Sequence, residues 1–407
     1  MISLLPLQSA QAGLTLREVL QVARQANPDL LALQAQAETS RLQAETEFYL
    51  PPLQFGIGTM GLQGPLAPGG HMQTSYQLSQ QIPFPTKVAR KKEAASQEAA
   101  AVQASAQSRE LALELEVRNA YLDYWKAQRM QSFLNERTSV LAAHARRLKA
   151  GSLSTQLMQA HLVAAGSDLE LIQNDLETAR QQEASAQAEL NAFMGRDPFA
   201  PLLPAEEPPL SPLPPSPTPR LADQVGSFHP QVLEAKSALQ AAEARVSASK
   251  AEYFPDLNLS LRRNQNTPMA ADASNTEVSV GLSLPFLYFW QPRATLRAAQ
   301  AKQFEAEAQV RAKQNRIRLL LVRRFAELSS FRSQYLRFKN SILTESDRRM
   351  RIAHATAPTD MESLNEHRDA LESSVELQIK ALSVRVDFEK ALAAYESLVG
   401  MNGSIAK

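Results

Sequence analysis

Gln80-Gln81-Ile82-Pro83-Phe84-Pro85-Thr86-Lys87-Val88-Ala89-Arg90-Lys91-Lys92-Glu93 is the stretch whose reading decides the fold. An alternating, strand-like run ends at Pro83 and Pro85, and a helical pattern of more than sixty residues begins. Proline has no N–H to give a ladder but fits the first turn of a helix, so the change of structure belongs here. The same event recurs at Ser283-Leu284-Pro285-Phe286, an offset of 202 residues from Pro83 to Pro285.

Upstream of the first junction, Leu53, Phe55, Ile57 and Thr59 alternate with Gln54, Gly56, Gly58 and Met60, a period-two strand. Residues 61–70, with Pro65 and Pro68, read as a loop. Met72, Thr74, Tyr76 and Leu78 then alternate with polar residues, completing a hairpin over residues 53–82. Before it, residues 15–48 are helical, with Thr15 and Glu18 spaced as a capping box and a break at Asn27-Pro28. Downstream, helical periodicity over residues 86–149 gives a rod of about 96 Å. Leu134, Leu141 and Leu148 fall at heptad spacing on it. Ala94, Ala95, Ala99 and Ala106 are small enough to let a neighbouring helix approach. Gly151 ends that helix and Ser152 or Ser154 starts its return, so residues 86–194 form an antiparallel helical hairpin.

Residues 196–219 hold ten of the chain's 24 prolines and read as an extended connector. The pattern then restarts. His229-Pro230 answers Asn27-Pro28 at an offset of 202, Pro255 answers Pro51 at 204, and Gly400 answers Gly195 at 205. The chain is therefore a tandem duplication. An N-terminal tail (1–14) precedes a first repeat (15–195), the connector (196–219), a second repeat (220–400) and a C-terminal tail (401–407). The second hairpin covers residues 256–287, with Leu257, Leu259 and Leu261 on one strand and Val278, Val280, Leu282 and Leu284 on the other. The second helical hairpin covers residues 292–399, with one unbroken helix expected over 292–354.

With 407 residues, 14 glycines and 6% aromatics, the composition favours long helices with small-residue seams over globular cores. The net charge of +1 gives no field for nucleic acid, and the basic runs 87–92 and 316–324 read mostly as solvated helix faces. The absence of cysteine excludes thiolate metal sites and disulfides. The six histidines make no ligand-spaced pair, and no phosphate-cradling loop or catalytic constellation stands out. No enzyme, cofactor or metal site is expected. Residues 1–7 are apolar and Ala10-Gln11-Ala12 has the small-x-small form of a secretory cleavage site, although a basic leader is missing.

Four strands of about ten residues, apolar on one face, match the pattern of transmembrane β-strands. The expected lipid-facing set is Leu53, Phe55, Ile57, Tyr76, Leu78, Leu257, Leu259, Leu261, Val278, Val280, Leu282 and Leu284. Lipid offers no partner for an open sheet edge, so chains must pool their strands. Three chains give twelve strands, the smallest ring wide enough for an aqueous lumen.

This layout resembles the TolC-like outer-membrane efflux family over essentially the whole chain. The Gln81-Ile82-Pro83-Phe84-Pro85 junction with Lys87 and Arg90 is most similar to its heavy-metal and small-cation branch. The resemblance implies a mainly α fold with a small β part: coiled-coil helical hairpins in the periplasm plus four strands lent to a trimeric twelve-stranded barrel in the outer membrane. It implies a homotrimeric exit duct meeting a periplasmic adaptor and an inner-membrane pump of the resistance-nodulation-division type, and exporting metal cations or small toxic compounds. A type I protein-secretion channel and a soluble periplasmic coiled-coil protein are the alternatives. The family's adaptor-docking tips fall at Arg147, Leu148, Gly151 and Ser152, and at Arg351 and Thr356, the latter where a glycine would stand. Its periplasmic constriction falls at Glu362 and Asn365, with Glu366 or Asp360 as compensating acids. Pro83, Pro85 and Pro285 would mark the passage from barrel to tunnel.

Overall fold

A computed structural model describes residues 13–46, 50–60, 73–150, 156–266, 275–284, 287, 290–356 and 361–400. In chain order the elements are α1 (Leu16–Ala26), α2 (Pro28–Thr46), β1 (Gln54–Met60), β2 (Gln73–Ile82), α3 (Pro85–Ala150) and α4 (Gln156–Phe193). There follow α5 (Pro219–Phe228), α6 (Pro230–Ala251), β3 (Asp256–Asn266), β4 (Asn275–Ser283), α7 (Trp290–Arg337), α8 (Leu343–Thr356) and α9 (Met361–Val399). The order confirms a mainly helical chain with a small antiparallel β part. One detail departs from the sequence reading. The helix expected to run unbroken over 292–354 contains a π-helical turn, Phe338–Ile342, between α7 and α8. Such a turn inserts one residue into the ladder and shifts the buried stripe beyond it.

The chain folds into two compact units, and each draws on both repeats. One comprises Leu33–Gln107 and Pro230–Gln314; it contains the sheet and the helix segments next to it. Ala94 of α3 packs there against Ala244 and Ala248 of α6. All three are alanines, so two helix backbones can approach closely.

The other unit comprises Met1–Ala32, Ser108–His229 and Asn315–Lys407. Its main cluster joins Val19, Ala23 and Leu30 to Val117, Tyr121 and Tyr124 of α3, to Leu190 of α4 and to Met194 just after it. Thr15 forms the expected capping box with Glu18, and α1 ends at Asn27. Asn27 then re-caps the chain, its Oδ1 accepting from Leu30 N at 3.1 Å while its Nδ2 donates to Phe193 O at 3.1 Å. Gly195 ends α4 with φ +64°, and a Cβ there would lie 2.4 Å from Ala26 O. Gly400 has the same left-handed backbone after α9, with φ +73°. The two glycines matched by the repeat thus share one conformational role.

The connector is bound to this unit by donors that its prolines lack. Tyr121 Oη donates to Leu14 O at 2.8 Å and Glu206 O at 2.9 Å. Arg332 Nη1 donates to Ser211 O at 2.8 Å, and Arg385 Nη2 donates to Pro208 O at 2.6 Å while its Nη1 pairs with Glu207. The Arg385 guanidinium also lies 5.0 Å from the Trp125 ring centroid. Burial pushes the Tyr121 phenol up to about 12, so it stays a donor at any working pH.

Beside the connector, Glu389 of α9 is only 8% exposed, and its Oε1 has no partner among the described residues. Burial raises its carboxyl to about 7, although Ser211 and Arg385 pull it down, and Glu396 adds to the rise. The folded state therefore holds this proton more tightly than the unfolded chain, and the stability it brings fades as pH rises from about 4.5 through 7. Glu389→Gln should be more stable than the parent at pH 8, by up to about 3 kcal/mol, and equal to it near pH 4.5. Urea unfolding followed by helical circular dichroism at the two pH values measures this. Tyr121→Phe should cost about 1–3 kcal/mol in the same assay, because two inward carbonyls lose their donor.

Candidate functional site

The four strands form one antiparallel sheet in the order β1-β2-β3-β4, so the two hairpins are joined through β2 and β3. Register decides what each face presents. Phe55, Leu78, Leu261 and Val278 lie in one cross-strand row. Ile82, Leu257 and Leu282 form a row nearer the helices. Between them, Leu259 is flanked by Gln80 and Val280. Gln80 is the polar residue within these three rows, and its Nε2 donates to Pro51 O at 2.7 Å.

The opposite face carries Gln54, Ser79, Ser260 and Ser279 in one row, and Gly56, Gln77, Arg262 and Glu277 in the next. Arg262 Nη2 donates to Gln77 Oε1 at 2.9 Å across the strands. The sheet is thus apolar on one side and polar on the other. A one-residue slip anywhere would exchange the faces, so pleat and register carry the whole effect.

Nothing among the described residues covers the apolar face. Phe55, Ile57, Val278, Val280 and Leu282 are each more than 60% exposed, and Leu53 is 58% exposed. Tyr76, Leu78, Leu259, Leu261 and Leu284 are exposed to a smaller degree, and Leu257 is half-buried. The sheet has two outer strands, β1 and β4, each with one neighbour. An apolar sheet of this kind in water would be a site for aggregation. No helix among the described residues is long and apolar enough to cross a membrane.

The junction between sheet and helices is held by an ion pair that sequence reading missed. Lys87, in the first turn of α3, is 4% exposed, and its Nζ lies 2.9 Å from Asp256 Oδ1 and 3.8 Å from Glu252 Oε2. It is the exception among the basic run 87–92; Arg90 and Lys91 lie half-exposed, paired with Glu93 and Glu252. Asp256 opens β3 and also accepts from Phe84 N at 3.3 Å and Gln81 Nε2 at 3.4 Å. The Phe84 and Phe254 rings stack 5.0 Å apart at 7°. Pro83 precedes α3 and Pro85 is its first residue. Pro285 lies outside the described residues.

The remaining expected positions are placed by backbone. Arg147 and Leu148 fall in the last turn of α3, while Gly151 and Ser152 lie outside the described residues. Arg351 is exposed on α8, and Thr356 is that helix's last residue. Glu362, Asn365 and Glu366 fall in the first turns of α9; Glu366 is exposed, and Asp360 lies outside the described residues.

Residues 221–357 match the model of the outer membrane efflux protein family. No curated protein matches the chain in sequence. Its fold is similar to that of several solved channels. The open-state MtrE outer membrane channel of Neisseria gonorrhoeae is 19% identical, with a TM-score of 0.78 over 95% of this chain and 88% of that one. The CmeC outer membrane channel of Campylobacter jejuni is 14% identical, with a TM-score of 0.78 over 95% and 85%. CusC, whose structures address transmembrane channel formation, is 16% identical, with a TM-score of 0.75 over 94% and 91%. Part of the second repeat, residues 221–357, is thus similar to the outer membrane efflux protein family, and nearly the whole length shares the fold of these outer membrane channels.

Proposed function

We propose that three copies of this chain assemble into the exit duct of a tripartite efflux system. The observation that carries this reading is the four-stranded sheet with an uncovered apolar face and two outer edges. Such edges need partners before the sheet can enter lipid. Further copies of the chain supply the matching edge, β4 of one against β1 of the next. Three copies give twelve strands, with Arg262, Glu277 and the Gln and Ser rows lining a polar lumen and the Leu, Val and Phe rows facing lipid.

The helical part stands in the periplasm. Its tips, at Arg147, Leu148, Gly151 and Ser152 and at Arg351 and Thr356, meet a periplasmic adaptor, which links the duct to an inner-membrane pump. Glu362, repeated three times about one axis and supported by Glu366 and Asp360, narrows the periplasmic entrance and draws cations toward it. Metal cations or small toxic compounds are the substrates favoured, on the resemblance of the junction 81–85 with Lys87 and Arg90.

Cross-linking of the detergent-extracted protein should give a trimer, and planar bilayers should show discrete conductance steps. A monomer that stays soluble without detergent would overturn the reading. Glu362→Lys should reduce cation passage several-fold in those bilayers while leaving the trimer intact, since three charges change sign in one ring. Unchanged conductance would remove Glu362 from the constriction.

A further inference from the structure

The apolar face ends at a sharply drawn row. Beyond Phe55, Leu78, Leu261 and Val278 comes the row Ile57, Tyr76, Arg263 and Thr276, and beyond that Thr59, Thr74 and Gln265. Arg263 lies two residues from Leu261, so it projects from the apolar face and not into the polar one occupied by Arg262. It is exposed, and among the described residues its guanidinium has no hydrogen-bond or ion-pair partner. Its lateral neighbours are Tyr76, 38% exposed, and Thr276, each offering a hydroxyl. Cross-strand neighbours of this kind have their Cβ atoms about 5 Å apart, so three donors converge on one patch.

The row's position in the sheet gives it a side of the membrane. The helices adjoin the other end of the strands, at Ile82, Asp256 and Ser283. The row with Arg263 therefore lies at the exterior end, where apolar side chains give way to polar ones. A charged residue there escapes the cost it would meet at the bilayer centre, because headgroups are within reach. Tyrosine suits the same boundary. A planar guanidinium beside two hydroxyls is a donor set for phosphate oxygens.

We propose that Arg263, Tyr76 and Thr276 form a docking site for the phosphate of a phosphorylated glycolipid in the outer leaflet of the outer membrane. The inference rests on the barrel reading above. It goes beyond that reading in assigning a specific lipid ligand to a built patch, one per chain and three per trimer.

The test uses the full-length protein in nanodiscs, with retained lipid counted by native mass spectrometry. Phosphorylated lipid A, enzymatically dephosphorylated lipid A and phosphatidylglycerol serve as probes. The parent protein should retain phosphorylated lipid A about fivefold more strongly than the dephosphorylated form, the scale of one basic residue at a charged membrane surface. Arg263→Gln should abolish that preference and Arg263→Lys should keep part of it. Arg262→Gln, on the other face, should leave lipid retention unchanged. Equal retention of the two lipid A forms by the parent, or a preference that survives Arg263→Gln, would overturn the site. Phosphatidylglycerol retained as firmly as phosphorylated lipid A would overturn the assignment to the outer-leaflet glycolipid. A protein that never enters the nanodisc would overturn the barrel reading, and this inference with it.

Discussion

A backbone N–H or C=O at a sheet edge has to find a partner, and hydrocarbon supplies none. Among the described residues, the sheet has four strands, an apolar face left open and an unpaired side on both β1 and β4. Each property alone is ordinary in a soluble protein, where a helix layer covers the face and water satisfies the edge. Together they fit the proposed ring, in which further copies close the edges. The pleat then allocates roles to residues: odd-numbered positions of β1 and β3, and even-numbered positions of β2 and β4, carry the apolar rows. A ring built by repetition turns those rows into a continuous lipid-facing belt without adding any new kind of contact.

The second constraint is the reverse of the first. The proline-rich connector has carbonyls in excess and few N–H groups, so the helices must donate to it. Tyr121, Arg332 and Arg385 do so from three different helices, α3, α7 and α9. The connector consequently ties elements of both repeats together within one unit. Desolvated Glu389 shows the cost of that arrangement, because the connector that buries it supplies too few donors to satisfy both carboxylate oxygens.

Local order made much of this fold legible in the sequence. The capping box at Thr15 and Glu18, the strand alternations and the recurrence of Pro83 at Pro285 all depend on residues close together, or on one constant offset. The predicted lipid-facing residues fall on one face because a single register preserves the alternation of all four strands. What stayed illegible depends on partners far apart. Lys87 reads as one of several solvated lysines until Asp256, 169 residues later, is brought to it. The π-helical turn at Phe338–Ile342 leaves no mark in composition, since it changes hydrogen-bond pairing and not residue type. The tips and the constriction were carried by family resemblance, because charged residues at helix ends have no pattern that separates a docking surface from a solvated one.

The duplication also explains why one junction is ionic. Within the chain, the end of β2 lies beside the start of β3, and there Lys87 from the first repeat meets Asp256 from the second. The residue matching Asp256 in the first repeat, at an offset of 204, is Pro52, and the residue matching Lys87 in the second, at 202, is Phe289. Neither can make an ion pair. In the proposed ring, the end of β4 in one copy meets the start of β1 in the next, and the exposed groups there include the apolar Leu50, Leu53, Leu284 and Leu287. A buried ion pair needs both charges placed together, because one left alone is strongly destabilising. That condition is easiest to meet within a single chain, where both partners are always present. An apolar seam tolerates separation better, since its parts can wait in detergent, chaperone or lipid until another copy arrives. Under the proposed ring, the two repeats differ according to whether their junction closes inside a chain or between chains.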